Sequence, residues 1–376
     1  MSTKRLRSST EVLRSQSSQS TTDGSTQSDS SSLREVSVTI DVADDFDLAK
    51  SICSYGFFVL APNKWCPPPP SLSTDHGVFK RPLRYGEKGQ HVCDVTLTMG
   101  QGTIDVSVAT SCPLDDGHLG EIKQQICRMC RVSFPIDSWW SLHSEAKSLG
   151  FGRLFRSPTL WEDMVKTITV CNVHWKRTCI MNRLLCDKVS SHMGSFPSPS
   201  DVLKFSPEWL QRECNLGYRA TRLYKLASAF TDGTIDVAWW EHSDRTQQEV
   251  WDACLSLNGF GPFATNNVLQ LMGFLETFPY DSETVRHFRE CHKVIGSLAD
   301  ITKKAKQHYA KYAPYQFVAY WFELWKGYQQ KDGVDADRWE EGNAALVISC
   351  PQQQQQQQQE VRDVVNEAKR VKRGRQ

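Results

Sequence analysis

The spacing of apolar side chains changes once along this chain, and that change restricts the folds open to it. Between residues 45 and 135 the pattern is strand-like. Phe57-Phe58-Val59-Leu60, Val92-Cys93-Asp94-Val95-Thr96-Leu97-Thr98 and Ile104-Asp105-Val106-Ser107-Val108 are rich in β-forming residues. The last two alternate apolar with polar, and Met99-Gly100-Gln101-Gly102 between them supplies a turn, so an antiparallel sheet is predicted. From residue 137 to about 330 the pattern is helical. Leu160, Met164 and Ile168 recur every fourth position behind a Ser157-Pro158 start, with Trp161 and Val165 alongside. Ser206-Pro207-Glu208-Trp209-Leu210 reads as a cap, an N1 proline and an apolar face, and Tyr315 to Trp325 as a further apolar helix. A sheet first and helices after predict an α+β fold with two lobes and a groove between them.

The segments follow from composition. Residues 1–36 are Ser/Thr/Gln-rich with almost no large apolar side chains; they cannot offset their ordering entropy and are predicted disordered. Residues 37–136 form the antiparallel β domain and residues 137–330 the helical domain. Pro67 to Pro70 open an irregular loop. Residues 331–376 form a second disordered tail, with a glutamine run from Gln352 to Gln359. Its basic cluster, Lys369, Arg370, Lys372, Arg373 and Arg375, suits a nuclear address or a DNA tether, or is simply a solvated tail. Nuclear localisation is the expectation; Lys4, Arg5, Arg7 and Arg14 also permit an organelle transit peptide.

Composition excludes some function classes. No apolar stretch of about 18 residues exists, so a membrane span is not expected, and no N-terminal apolar run reads as a secretory signal. The 13 cysteines are odd in number and sit inside apolar segments such as Ile52-Cys53 and Val170-Cys171, a pattern of reduced, buried thiols in an intracellular protein. With a formal net charge of +1, any nucleic-acid face must be a local patch.

The stretch Leu255-Ser256-Leu257-Asn258-Gly259-Phe260-Gly261-Pro262-Phe263-Ala264-Thr265 has two glycines one residue apart, flanked by helical patterns. It predicts a tight helix–hairpin–helix turn whose second helix starts near Pro262. Free amides at such a start bind anions, and phosphate held there positions a protein on DNA without reading sequence. An inter-helix turn without a ligand is the plainer reading of Gly-x-Gly alone. Downstream lies Phe278-Pro279-Tyr280-Asp281-Ser282-Glu283-Thr284-Val285-Arg286-His287, where Asp281 also has the position of a helix N-cap.

This pair of motifs resembles the helix-hairpin-helix/Gly-Pro-Asp (HhH-GPD) family of DNA glycosylases, in which the loop ends in proline, one residue and the catalytic aspartate. The resemblance extends over roughly residues 45–330. Ser157-Pro158-Thr159-Leu160-Trp161-Glu162 resembles the start of the family's first long helix. Leu216-Gly217-Tyr218-Arg219-Ala220 is similar to a signature of eukaryotic 8-oxoguanine DNA glycosylases, and Ala313-Pro314-Tyr315 is similar to both those enzymes and bacterial 3-methyladenine glycosylases.

The resemblance implies an all-helical glycosylase domain behind the sheet domain, and roles for named residues. Asp281 is the catalytic carboxylate; Glu283 is the runner-up, expected on a solvated helix face. Gly259, Phe260 and Gly261 form the DNA-backbone hairpin. Asn172 and Tyr218 fill the gap left by a flipped base, while Arg177 and Arg219 grip the opposite cytosine. Asn267, Tyr320, Trp321 and Leu324 form the base pocket, with Tyr320, Trp321 and Trp325 available to stack. Apart from the resemblance, Arg153, Arg156, Lys166, Lys176, Arg183, Arg222 and Lys225 are candidates by charge for the basic face, with ordinary solvated charges the plainer reading of most.

Two departures from the family pattern matter. Phe263 stands where the lyase branches carry a lysine, so no amine is placed to form a Schiff base. The 8-oxoguanine pocket residues are also replaced. The four-cysteine cluster of the iron–sulfur branch is missing after the hairpin, so no such cofactor and no metal are expected, apart from a monovalent cation at the hairpin that the resemblance permits. The implied partner is double-stranded DNA carrying a damaged base, bound by a monomer with no membrane association. A monofunctional glycosylase is the preferred reading. A non-catalytic reader of damaged DNA and a helical interaction protein without DNA affinity remain open beside it.

Overall fold

The structure, a computed structural model, describes residues 33–68 and 77–339. Most of both predicted tails, the loop from Pro69 onward, the glutamine run and the basic cluster at Lys369 to Arg375 lie outside the described residues.

Five strands, β1 (Arg34–Asp41), β2 (Lys64–Cys66), β3 (Val78–Tyr85), β4 (His91–Met99) and β5 (Thr103–Thr110), form one antiparallel sheet in the order β1-β5-β4-β3-β2. The predicted β4–β5 hairpin is present, with Leu97 opposite Val106 and Val95 opposite Val108, all buried on one face. Strand β1 starts at Arg34, paired with Thr110, so the first strand begins inside the segment assigned to the N-terminal tail.

Helices take up most of the rest. α1 (Leu48–Ile52), α2 (Asp116–Cys130), α3 (Ile136–Leu142) and α4 (Ser144–Ser148) accompany the sheet. Then come α5 (Leu160–Val170), α6 (Trp175–Lys188), α7 (Pro199–Val202), α8 (Pro207–Glu213), α9 (Arg219–Thr231) and α10 (Val237–Trp240). The last group is α11 (Gln247–Ser256), α12 (Pro262–Met272), α13 (Ser282–Glu290), α14 (Leu298–Tyr309) and α15 (Gln316–Asp332).

The structure corrects three sequence readings. Gly56–Val59 is a 3₁₀ turn, not a strand: Phe57 and Phe58 are both buried, and an apolar run without alternation fits either element. α2 lies inside the strand-like segment, capped by Asp115, with Ile122, Ile126 and Met129 on one buried face. The N-cap of α5 is Thr159, two residues past the expected Ser157 start, while α8 has the expected Ser206 cap and Pro207 at N1.

Two hydrophobic cores result, and they do not divide at residue 136. One joins the sheet and α2 to Leu271, Leu275, Phe278 and the apolar faces of α13 to α15, reaching Trp339. The other is built from α5 to α12, between Leu160 and Leu269. The chain therefore leaves the sheet core, builds a helical lobe and returns. The return happens at the C-terminal end of α12, where Leu271 already belongs to the sheet core and Gly273 takes a left-handed φ of 106°.

Buried charges cross the seam. Glu162 on α5 lies 2.8 Å from Arg81 on β3 and 2.7 Å from Lys166 one turn on, with all three side chains at most 2% exposed. The two cations hold the Glu162 carboxyl down at about 2 against the upward pull of burial. A carboxyl with a depressed folded pKa stabilises above its unfolded pKa, and that stability is lost as pH falls from about 4.5 toward 2. Glu162→Gln leaves two buried cations without a counter-charge. It should cost about 3–5 kcal/mol, read as a lower urea midpoint at unchanged m-value.

Candidate active site and nucleic-acid interface

The hairpin forms as its glycines require. α11 begins with a Thr246/Glu249 capping box, and α12 begins at Pro262 with Gly261 as an N-cap that offers no side chain to the first-turn amides. Gly259 has φ +97°, and a Cβ there would stand 2.4 Å from Cδ of Arg222. Gly261 is extended, and a Cβ there would meet nothing within 4 Å. Phe260 was expected on the DNA side with these glycines, but its ring is buried in the helical core and only its backbone belongs to the hairpin surface. The hairpin, Cys171, Asn172 and Arg222 line one cleft of about 570 Å³.

Asn172 follows α5 rather than lying within it, at a left-handed φ of 49°. It is exposed, and its Nδ2 lies 3.4 Å from the hydroxyl of Tyr218, a residue 47% exposed. The guanidinium groups of Arg219 and Arg222 each sit 4.6 Å from that ring's centre. Arg219 itself is 5% exposed, and its Nη2 donates to the carbonyls of Cys171 and Asn172, the latter at 3.1 Å. Arg219, expected to grip an opposite base, here holds the turn that presents Asn172. Arg177, on α6, is exposed.

Asp281 N-caps α13. Its Oδ1 accepts from the amides of Glu283 and Thr284, both at 3.0 Å, and from Thr284 Oγ1 at 3.3 Å. Oδ2 accepts no hydrogen bond among the described residues. Burial pushes the Asp281 carboxyl up from 3.8 to about 6; the Thr284 hydrogen bonds oppose this and the neighbouring Glu283 charge adds to it. Asp281 lines a cleft of about 190 Å³ between the two cores, together with Asn267, Phe263, Tyr320, Trp321 and Leu324. Residues named separately in the sequence thus meet around one carboxylate.

Their individual parts differ from expectation. Tyr320 is buried, stacked on Phe278 at 4.5 Å, with its hydroxyl 2.9 Å from Thr284 Oγ1, so it braces the cap of α13. Leu324 and Trp325 are buried, and Trp325 packs on Trp339 at 5.1 Å. Trp321 is half-buried, held by Nε1 on the Ser54 carbonyl at 2.8 Å with its ring 4.7 Å from Tyr55. Asn267 donates from Nδ2 to the Phe263 carbonyl at 2.9 Å and accepts from the Tyr55 hydroxyl at 3.4 Å. Glu283 is not on a solvated face: it pairs with Arg286 and accepts from Tyr328 at 2.7 Å.

The cleft wall also uses Tyr55, Gly56, Phe57 and Trp175, which sequence reasoning missed. A Cβ on Gly56 would stand 3.1 Å from the Trp175 ring, the one local sign of this close approach. The basic-face candidates divide. Lys166 pairs with Glu162, Arg153 with Asp45 at 3.2 Å, and Arg156 donates to the Leu271 carbonyl at 2.6 Å, so these three are structural. Lys176, Arg183 and Lys225 are exposed and Arg222 is half-buried beside the hairpin.

Sequence comparison finds no matching family model and no matching curated protein. Solved structures do match. The 3-methyladenine DNA glycosylase of Archaeoglobus fulgidus is 15% identical with a TM-score of 0.58, covering 77% of this chain and 98% of its own. The 8-oxoguanine glycosylase/lyase of Clostridium acetobutylicum, in its apo form, is 17% identical with a TM-score of 0.54, over 78% and 97%. MBOgg1 with a low-affinity DNA ligand is 17% identical with a TM-score of 0.57, over 79% and 96%. This chain shares the fold of these DNA glycosylase structures. Within that fold the hairpin opens α12 and Asp281 opens α13, so a single helix and its exit loop separate the candidate phosphate site from the candidate carboxylate.

The two hairpin glycines should respond differently to substitution. Gly259→Ala forces a side chain into a left-handed φ against Arg222 and should cost about 1–2 kcal/mol. Gly261→Ala should leave the urea midpoint within about 0.5 kcal/mol of wild type. Equal losses at both positions would contradict this geometry.

Proposed function

We propose that this protein is a monofunctional DNA N-glycosylase of base-excision repair, which flips a damaged purine out of duplex DNA and hydrolyses its N-glycosidic bond. The observation that carries the reading is Asp281: a carboxylate in an aromatic-walled cleft, one helix away from a free, glycine-lined helix N-terminus. The first turn of α12 would take a DNA phosphate, with Arg222 beside it. Extruding a base costs a few kcal/mol, which Asn172 and the exposed ring of Tyr218 would offset by occupying the gap. Cleavage builds positive charge on the sugar; the Asp281 carboxylate stabilises it and orients water through its unoccupied Oδ2. Phe263 supplies no amine, so the product is an abasic site in a strand left uncut until alkali is added. A monomer acting in the nucleus completes the proposal.

The N-cap role and the chemical role of Asp281 separate under substitution. Asn keeps a cap oxygen but cannot carry charge. Asp281→Asn should lower single-turnover excision on a lesion duplex about a hundredfold or more while changing duplex affinity little. Its melting temperature at pH 7 should not fall. A raised carboxyl pKa means that the folded protein holds the proton more tightly, so stability drops as pH rises from about 4 to 6, and Asn removes that penalty. For wild type, kcat/KM should climb with pH through about 6 as Asp281 ionises. Near wild-type excision by Asp281→Asn would leave a non-catalytic reader of damaged DNA as the better reading.

The opposite base is the finer part of the proposal. The Clostridium enzyme has been solved on duplex DNA with cytosine opposite 8-oxoguanine. With Arg219 committed to the Asn172 turn, exposed Arg177 is the candidate for contacting the orphaned base here. Excision of an oxidised or alkylated guanine should be tenfold to a hundredfold faster opposite cytosine than opposite other bases, and Arg177→Ala should flatten that preference. A flat profile in wild type would shift the substrate to alkylated adenine.

A further inference from the structure

At the far end of α13 from Asp281, three imidazoles converge on one carboxylate. His287 is on α13, His292 on the turn after it, His308 on α14 and Glu323 on α15. Glu323 Oε2 lies 3.0 Å from His287 Nε2 and 2.9 Å from His292 Nε2, while Oε1 lies 3.4 Å from His308 Nε2. The donor atoms of His287, His292 and Glu323 all fall within 4.8 Å of one another. The rings of His292 and His308 are 4.3 Å apart.

Hydrogen bonding alone accounts poorly for this arrangement. The Tyr309 hydroxyl also bonds Glu323 Oε2, at 2.5 Å, so three donors would crowd an oxygen that has two lone pairs. All three histidines turn the same ring nitrogen, Nε2, inward. We propose that this cluster is a zinc site in which His287, His292 and Glu323 are ligands and His308 takes the fourth position.

The chemistry fits that ion. Neutral imidazoles with one carboxylate select zinc-class metals over calcium or magnesium, which prefer sites made wholly of oxygen. Tetrahedral bonds of about 2.0–2.1 Å put neighbouring donor atoms roughly 3.3 Å apart, within small side-chain shifts of the separations seen here. Tyr309, buried and bonded to the carboxylate, is placed to fix the orientation of Glu323. His287 is buried whereas His292 and His308 are half-exposed, so the site is closed toward the core and open to entry from solvent.

The role would be structural. His287 lies six residues after Asp281, roughly 9 Å along α13, too far to touch a sugar held at that carboxylate. Zinc would instead staple α13, the helix that Asp281 caps, to α14 and to α15, which lines the cleft.

The test uses the full chain, stripped with chelator and titrated with zinc against a chromophoric competitor. One zinc should bind per chain, and cobalt(II) in its place should give the visible absorption of a tetrahedral site. His292→Ala/His308→Ala, which alters only half-exposed side chains, should weaken zinc at least tenfold, and so should Glu323→Gln. Zinc should raise the melting temperature of wild type and leave the double variant unmoved. Failure of wild type to bind one equivalent, or variants that bind zinc as wild type does, would overturn the assignment.

Discussion

The position of the candidate carboxylate depends on how the C-terminus of α12 is satisfied. The last carbonyls of a helix have no partners within it, and those of α12 are inside the protein. Arg131, itself at a left-handed φ of 48°, donates from Nη2 to Gln270 and Leu271 at 2.7 and 3.0 Å, and from Nε to Leu154 at 2.7 Å. Arg156 adds a bond to Leu271 at 2.6 Å. Desolvation lowers the Arg131 pKa to about 10 and that of Arg156 as well, so both charges are held at a cost, offset by their bonds to the carbonyl end of α12, where the Gly273 amide also donates to Gln270 at 3.1 Å. With this end fixed, the chain can turn at Gly273 and pass from the helical core back to the sheet core. Asp281 lies just beyond that crossing.

The same helix is left open at its other end. Gly261 supplies no capping side chain, and the amides of the first turn face a cleft rather than the core. α12 is thus capped by cations at its negative end and free for an anion at its positive end, as its dipole favours. Eleven residues of helix would set the distance between a phosphate held there, as proposed, and the cleft that holds Asp281. Asp281 carries two demands at once: the cap of α13 uses Oδ1, and the low-dielectric cleft penalises the charge that the proposed chemistry needs. A carboxylate kept ionisable against burial is typical of functional sites, and it is why its substitution separates stability from activity.

Where local chemistry decides structure, the sequence was readable. The β4–β5 hairpin, the Ser206 cap, the start of α12 at Pro262 and the meeting of Asn267, Trp321 and Leu324 with Asp281 all follow from period, cap residues or motif. What sequence hid was tertiary. Phe57-Phe58 is apolar on every side, so period could not separate a turn from a strand. Lys166 and Arg153 read as surface charges because their partners, Glu162 with Arg81 and Asp45, are chosen by packing between elements. The His287, His292, His308 and Glu323 cluster has no ligand spacing to detect, since its members come from α13, the turn after it, α14 and α15. Tyr55 and Trp175 reach the cleft from distant segments, with nothing in the chain between them to signal it.

Arg219 shows how a residue singled out by a motif takes its immediate role from packing that the motif does not display. The Leu216-Gly217-Tyr218-Arg219-Ala220 stretch does stand beside Asn172, as the family resemblance implies. Yet a guanidinium bonded to two backbone carbonyls, and covered by the Tyr218 ring, has few donors left for a base. Its effect is to stabilise a left-handed asparagine, a conformation that costs free energy unless neighbours enforce it. Under the proposed function, an Asn172 held in place in advance would lose less entropy on entering a DNA helix than a mobile one would. In this structure Arg219 therefore holds the turn that presents Asn172, while Arg177 stays exposed.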